Sequence, residues 1–172
     1  IHTANTELTV TFSESVYDTT GATGDLEVAD FALSIAGGTA TLGSATPTSI
    51  TKTSQTVWVL GFSTSGTANG SETITVAPAS STSIYDAAAN AAATSQSNNT
   101  ALFNDAYAPN IPTTSIHTAN TELTVTISES VYDTTGATGD LEVADFALSI
   151  AGGTATLGSA LATSLTTNPE HV

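Results

Sequence analysis

The chain has 172 residues and is strongly acidic, because one lysine, Lys52, stands against 16 acidic residues and the formal net charge at pH 7 is −15. This charge repels nucleic-acid phosphate and anionic lipid, so neither nucleic acid nor a membrane surface is an expected partner. The absence of cysteine excludes disulfides, and no apolar run reaches the roughly 18 residues that would predict membrane insertion.

Short stretches in which apolar and polar residues alternate dominate the chain, and a period of two is typical of half-buried strands. Turn residues such as Gly37 with Gly38, and Asn69 with Gly70, separate these stretches. About seven short strands within about 110 residues predict an all-β fold, an Ig-like Greek-key β-sandwich. In chain order, the clearest predicted strands lie within residues 7–14, 30–36, 40–42, 57–62, 71–77 and 100–104.

The inward-facing positions of these strands define the predicted core. Trp58 is expected to be buried because it alternates with Leu60 and Phe62. The predicted core residues are Leu8, Val10, Phe12, Phe31, Leu33, Ile35, Leu42, Trp58, Leu60, Phe62, Ile74, Val76 and Leu102.

A long internal repeat organises the whole sequence. Residues 1–45 return as residues 116–160, and the two copies differ only where Phe12 is replaced by Ile127. The period is therefore 115 residues. Repetition at a fixed period is typical of proteins that build length or valency from modules.

The repeat predicts three segments. We expect residues 1–105 to form a first Ig-like repeat that lacks its first strand, and residues 116–172 to form an incomplete second one. Residues 106–115, which contain Pro109 and Pro112, are predicted to be a semi-rigid linker that leads into the first strand of the second repeat.

The two incomplete copies also lead to an expectation about assembly. Copy 1 has no counterpart of residues 110–115, and copy 2 stops before a counterpart of residues 58–102. We expect a linear head-to-tail polymer of the chain with itself. Either the natural chain continues covalently, or a neighbouring subunit supplies strands by donor-strand complementation.

Five motifs follow one another in a recognisable order: ELTVTFSESV, LEVADFALSIAGGTATLGSA, NGSETITVAPA, IYDAAANAA and NDAYAPNI. In this order the chain resembles bacterial Ig-like tandem repeats of large cell-surface adhesins and of SwmB-like surface proteins. The family motif near the domain end is Asp-x-x-Gly-Asn, and here Ala89 occupies the glycine position between Asp86 and Asn90. The resemblance implies a secreted structural module on the bacterial cell surface that often carries calcium.

Two groups of oxygen-bearing side chains are the candidate calcium ligands, since Ca²⁺ prefers carboxylate and carbonyl oxygens. One group lies in a loop rich in glycine and threonine and contains Asp18, Asp25, Glu27 and Asp30, which recur as Asp133, Asp140, Glu142 and Asp145. The other contains Asp86, Asn90, Asn104 and Asp105. Neither group matches the spacing of an EF-hand, and the alternative interpretation is that these loop residues cap turns.

Two sequons, at Asn69 and Asn98, are candidate glycosylation sites at predicted turns, although chance sequons are frequent in a chain rich in serine and threonine.

The chain shows no arrangement typical of an enzyme: there is no G-x-S-x-G motif, and the histidines lack ligand spacing. We therefore expect no catalysis. The favoured function is an extracellular structural repeat of a filament or adhesin stalk. The alternative is a carbohydrate-binding or adhesive tip module with glycans as partners. That alternative requires an exposed aromatic cluster, for which Tyr17, Tyr85, Tyr107 and Tyr132 are the candidates.

Overall fold

A computed structural model describes residues 1–167 of the chain, and residues 168–172 at the end of the predicted second repeat lie outside the described residues. The fold is nearly all-β, with 30% strand and 4% helix, as the alternating sequence predicts. The chain forms two compact units, unit 1 over Ile1–Tyr107 and unit 2 over Ala108–Val172. No described helix is long and apolar enough to cross a membrane.

Unit 1 consists of short antiparallel strands. The strands are β1 (Glu7–Thr11), β2 (Val16–Tyr17), β3 (Phe31–Ala36), β4 (Thr41–Leu42), β5 (Ser49–Lys52), β6 (Val57–Gly61), β7 (Thr64–Ser65), β8 (Thr73–Pro78), β9 (Tyr85–Asp86) and β10 (Thr100–Leu102). Two three-stranded sheets have the orders β1-β6-β5 and β10-β8-β3, and two small sheets pair β2 with β9 and β4 with β7. A single turn of 3₁₀ helix, Val28–Asp30, precedes β3.

Both three-stranded sheets contribute to one hydrophobic core. Alternation along β6 buries Trp58 and Leu60, which are 1% and 0% exposed, and leaves Val57 and Val59 half-buried. Full burial of such a side chain contributes about 1.5–3 kcal/mol. The predicted core residues that are buried are Leu8, Phe31, Leu33, Trp58, Leu60, Phe62 and Ile74, and those that pack against them while partly exposed are Val10, Phe12, Ile35, Leu42 and Val76.

The prediction of Leu102 as a core residue is wrong. Its side chain is 63% exposed, whereas Phe103 is 4% exposed and its ring centroid lies 5.7 Å from that of Phe62. Side chains alternate along β10, so the inward face carries Ala101 and Phe103 and not Leu102. The core also includes Val16, Leu26 and Ile84, which the alternation did not single out.

Within its described residues, 108–167, unit 2 contains one strand pair, β11 (Thr113–Ile116) with β12 (Leu123–Thr126), and a 3₁₀ turn at Val143–Asp145 that repeats the turn of unit 1. β11 covers the last residues of the predicted linker and Ile116, the first residue of the second copy. The strands are antiparallel, with Ile116 opposite Leu123. The apolar side chains of unit 2 that stay largely exposed are Ile111, Ile116, Leu123, Tyr132, Ile150, Leu157, Leu161 and Leu165.

Candidate functional site

The loop after β9 brings two of the predicted calcium ligands together. The Asp86 carboxylate accepts hydrogen bonds from the N–H of Ala88 (2.8 Å), the N–H of Asn90 (2.7 Å) and the side-chain amide of Asn90 (2.7 Å). The Asn90 side chain, followed by these N–H groups, lowers the pKa of Asp86. The carboxylate therefore closes a turn, which is the capping role that competes with calcium binding.

The same turn contains Ala89 in the left-handed region, with φ of 68°. This conformation favours glycine, the residue at this position in the family motif. The turn still closes, because the Ala89 N–H donates to the Asp86 carbonyl over 3.2 Å and the Asp86 N–H donates to the Asn90 carbonyl over 3.0 Å.

The other two residues of this predicted group have different partners. Asn104 forms a reciprocal pair with Asn5: the Asn5 amide donates to the Asn104 carbonyl over 2.7 Å, and the Asn104 N–H donates to the Asn5 Oδ1 over 2.9 Å. Asp105 accepts the N–H of Tyr107 over 2.9 Å and caps a local turn. The Asn5–Asn104 clasp ties the two ends of unit 1 together, and sequence analysis did not predict it.

The predicted group around Asp18 and Asp25 is also divided. Asp25 pairs with Lys52, whose Nζ lies 5.5 Å from the centroid of the Trp58 ring. Asp30 is the buried carboxylate of this loop and accepts the N–H of Glu27 over 2.6 Å. Burial raises the pKa of Asp30; the hydrogen bond from Glu27 opposes this, and the charges of Asp18 and Glu27 add to it. Asp18 thus lies close enough to Asp30 for their charges to interact.

Among residues 1–167, no group of three or more His, Asp or Glu residues is arranged to hold a metal ion. Calcium binding by Asp18, Asp25 or the residues near the end of unit 1 stays a prediction.

The most enclosed carboxylate of unit 1 is Glu72, which is 0% exposed. Its Oε1 accepts the N–H groups of Thr39 (2.7 Å) and Ala40 (2.9 Å), and its Oε2 accepts that of Asn69 (3.0 Å). Burial raises the pKa of Glu72, but these main-chain donors together bring it below its ordinary value. Glu72 therefore holds two loops in place as an ionised group.

The turn formed by Gly37 and Gly38 leaves the space that Glu72 occupies. A Cβ on Gly38 would lie 2.1 Å from the Glu72 Cδ, and a Cβ on Gly37 would lie 2.5 Å from the Ser71 carbonyl oxygen. Both glycines also have positive φ, of 59° and 78°. Two sequence signals could have located this contact: the glycine pair Gly37–Gly38, which follows β3, and the acidic residue Glu72, which follows Asn69 and Gly70 and precedes β8.

The two sequons differ in their surroundings. Asn69 is half-buried, and its Oδ1 accepts the Ser71 N–H over 3.1 Å, so its side chain takes part in the turn that holds Glu72. Asn98 is exposed. Glycosylation at both positions stays a prediction.

The aromatic side chains that could bind a sugar are placed in three ways. Trp58 is buried, so it is not a platform for a sugar ring. Tyr17 lies opposite Tyr85 across the β2–β9 pair, and both are half-buried. Tyr107 of unit 1 is 41% exposed and Tyr132 of unit 2 is 49% exposed.

Unit 1 also has a groove of about 340 Å³. Its lining includes residues 8–13, within and just after β1, and residues 96–101, just before and within β10. Phe31, Ile74 and Val76 contribute apolar lining. Unit 2 has a more open groove of about 290 Å³, which includes Pro109, Ile127 and Phe146.

Comparison with known proteins gave no match, whether against family models, curated proteins or solved structures.

Proposed function

We propose that this chain is part of an extracellular structural protein, in which Ig-like β-sandwich modules are joined head to tail into a filament or a long adhesin stalk on a bacterial cell surface. The observation that carries the proposal is the repetition of residues 1–45 as residues 116–160. Near-identity over this length is expected when a protein gains from more copies of one module, and not when it shapes a single pocket.

The architecture of unit 1 supports the Ig-like part of the proposal. Two antiparallel three-stranded sheets contribute Leu8, Trp58 and Ile74 to one core, which is the arrangement expected of a sandwich. Short strands and tight turns leave the surface to exposed serine, threonine and acidic side chains, and a net charge of −15 favours solubility outside the cell.

Several acidic side chains of unit 1 already have hydrogen-bond or ion-pair partners, and this supports a structural role over a catalytic one. Glu72 and Asp86 accept main-chain N–H groups that hold loops, and Asp25 pairs with Lys52. Carboxylates that are occupied in this way fix the shape of a module and are poorly suited to acid–base chemistry.

The proposed location is tested by labelling. Antibody raised against folded unit 1 should decorate intact source cells, and immunogold electron microscopy should show label on fibres or stalks outside the envelope. Label that enters only after the cells are permeabilised would contradict the proposal.

The proposal includes calcium bound by the acidic loops. If it binds only the folded state, it raises the melting temperature, as any such ligand does. Melting curves in calcium and in chelator measure this effect, with Asp86→Ala expected to reduce it and Glu7→Ala as the control. Identical curves for the wild-type chain would remove calcium from the proposed function.

A further inference from the structure

Residues 103–106, here named the strap, connect β10 to the linker that leads to unit 2. Phe103 begins the strap inside the core, where it is 4% exposed and donates its N–H to the Glu72 carbonyl over 2.9 Å. The other residues of the strap are exposed. The chain therefore passes from the core to the surface within the strap, and any tension on the linker enters unit 1 through it.

Although Asn104 is exposed, it is tied firmly to the loop before β1. Its main chain is joined to the Asn5 side chain by hydrogen bonds of 2.7 and 2.9 Å. Its side-chain amide donates to the Asn5 Oδ1 over 3.1 Å and to the His2 carbonyl over 3.0 Å. Asn5 is only 7% exposed, so a buried amide is used to hold a residue 99 positions away, and it would be costly to leave that amide without its partner.

The turn that presents Asn5 is formed by local sequence. Asn5 has a positive φ of 54°, and its N–H donates to the His2 carbonyl over 2.9 Å. Its repeat counterpart Asn120, which is exposed, has a φ of 55°, and its N–H donates to the His117 carbonyl over 2.8 Å. Because the same turn forms in both copies, the loop is shaped to receive the strap independently of the strap itself.

The loop before β8 also holds the strap. The Ala68 carbonyl accepts the Ala106 N–H over 2.9 Å. Gly70, with a φ of 76°, approaches the strap so closely that a Cβ on it would lie 3.2 Å from the Asp105 Cβ. This is the loop that the buried Glu72 carboxylate fixes in place. The strap is therefore attached to parts of unit 1 that are themselves anchored.

Tension on the linker would load these contacts in the order in which the chain leaves unit 1. It would act first on the Ala106 bond and then on the bonds of Asn104, and it would reach Phe103 only when these have broken. The bonds of Asn104 meet at one residue, so they share the load. Once Phe103 is pulled out, its contact with Phe62, at 5.7 Å between ring centroids, is lost and the core opens.

We propose that the strap is a force-bearing lock of the module: the Asn5–Asn104 clasp keeps linker tension from reaching Phe103, so unit 1 stays folded while neighbouring modules pull on it. This role rests on the proposed assembly into a filament or stalk, because a module needs such a lock only in a chain under tension. The positive φ of Asn5 fits the role, since strained residues recur where function fixes the geometry of a loop.

Single-molecule stretching of the full chain tests the lock. The chain contains no cysteine, so Ser81→Cys in unit 1 and Thr118→Cys in unit 2 create unique attachment points, and both residues are exposed. The quantity measured is the lifetime of folded unit 1 at constant force. Its unfolding is recognised by its extension, because residues 81–118 span about 120–130 Å when fully extended, at about 3.3–3.6 Å per residue.

Asn5→Gly removes the amide and keeps a residue that adopts a positive φ without strain. It should shorten the lifetime about tenfold, the effect of losing about 1.4 kcal/mol. Asn104→Ala should shorten it by less, because the main chain of this residue can still bond to Asn5; this variant also carries the test if circular dichroism shows that Asn5→Gly is unfolded. Asn120→Gly is the matched control, the same change at the same repeat position of unit 2, and it should leave the lifetime unchanged.

A second control separates the lock from overall stability. Ile50→Val trims a partly buried residue of β5 that packs against the core. It should lower the melting temperature of unit 1 and leave the lifetime under force unchanged, because its contacts break only after the clasp.

Two results would overturn the lock: lifetimes of Asn5→Gly and Asn104→Ala equal to that of the wild-type chain, or a lifetime that Ile50→Val shortens as much as Asn5→Gly does. The second result would mean that the clasp acts only through overall stability. Neither result affects the proposed structural role, because labelling of intact cells tests it separately.

Discussion

Leu8 and Leu123 occupy the same position of the repeated sequence, yet Leu8 is 4% exposed and Leu123 is 43% exposed. Residues 31–36 form a six-residue strand in unit 1, whereas their counterparts, residues 146–151, contribute only the isolated bridge between Ala147 and Leu161. The reason is the partner: β3 pairs along its whole length with β8, and the described part of unit 2, residues 108–167, contains no counterpart of β8. The same residues thus become a strand only where another strand accepts their hydrogen bonds.

Other features are equal in the two copies. The 3₁₀ turn forms in both, with the Glu27 N–H donating to Asp30 over 2.6 Å and the Glu142 N–H donating to Asp145 over 2.7 Å. Ala22 and Ala137 both have positive φ, of 53° and 56°. These features depend on neighbours within four residues, so they form wherever the sequence occurs. A comparison of two copies with the same sequence therefore separates local from tertiary effects. Substituting the same repeat position in each copy measures how much stability the tertiary contacts add.

The largest difference is expected for the core phenylalanine. Phe31→Ala should cost about 3–5 kcal/mol, because the side chain is 2% exposed and a cavity would remain. Phe146→Ala should cost much less, since its side chain is half-exposed. Urea unfolding followed by Trp58 fluorescence measures the first, and amide hydrogen exchange in unit 2 the second. Equal losses would mean that the two copies are equally packed in solution.

The second comparison concerns the glycine turn. Gly38→Ala should destabilise unit 1 by roughly 2–4 kcal/mol, because the new Cβ displaces Glu72 in addition to straining a positive φ. Gly153→Ala should cost only about 1 kcal/mol of strain, since a Cβ there meets no atom within 4 Å. Thermal unfolding measures the first and amide exchange the second. A harmless Gly38→Ala would show that the Glu72 cradle is dispensable.

The third prediction concerns Glu72 itself, which lies outside the stretch that residues 116–160 repeat. Glu72→Gln should cost about 1–3 kcal/mol at pH 7, because an amide replaces an oxygen that accepts main-chain N–H groups. The folded-state pKa of Glu72 is lowered from 4.5. Its contribution is therefore complete above about pH 4.5 and is lost as the pH falls through the lower folded-state pKa. Urea unfolding of both chains from pH 7 to pH 3 should show the difference shrinking only in acid; a constant difference would contradict an ionised Glu72.

The smallest effects should be equal between the copies. Ala22→Gly and Ala137→Gly should each stabilise their loops by about 0.5–1 kcal/mol, because glycine adopts a positive φ without the clash of a Cβ. Amide exchange of Thr19 and Thr134, whose N–H groups close the two loops, reports both. Unequal changes would mean that distant residues influence these loops.

Much of the core was predictable because alternation is a local property of the chain. The pattern around Trp58 identified the buried face of β6 before any partner was known. It placed Leu102 in the core incorrectly, since the flanking residues do not show which face of β10 meets Phe62. The candidate calcium ligands show the same contrast between local and distant contacts. Asp86 and Asn90 are four residues apart and meet, whereas Asn104 pairs with Asn5, 99 residues away.

The sequence by itself determined the all-β character, the repeat, the turns and the identity of most inward-facing residues, because backbone sterics and side-chain alternation act over a few residues. Tertiary structure decided which of the identical segments became buried strands and where Glu72 found its donors. These outcomes depend on pairing between distant segments, and a local pattern contains no information about whether the partner is present.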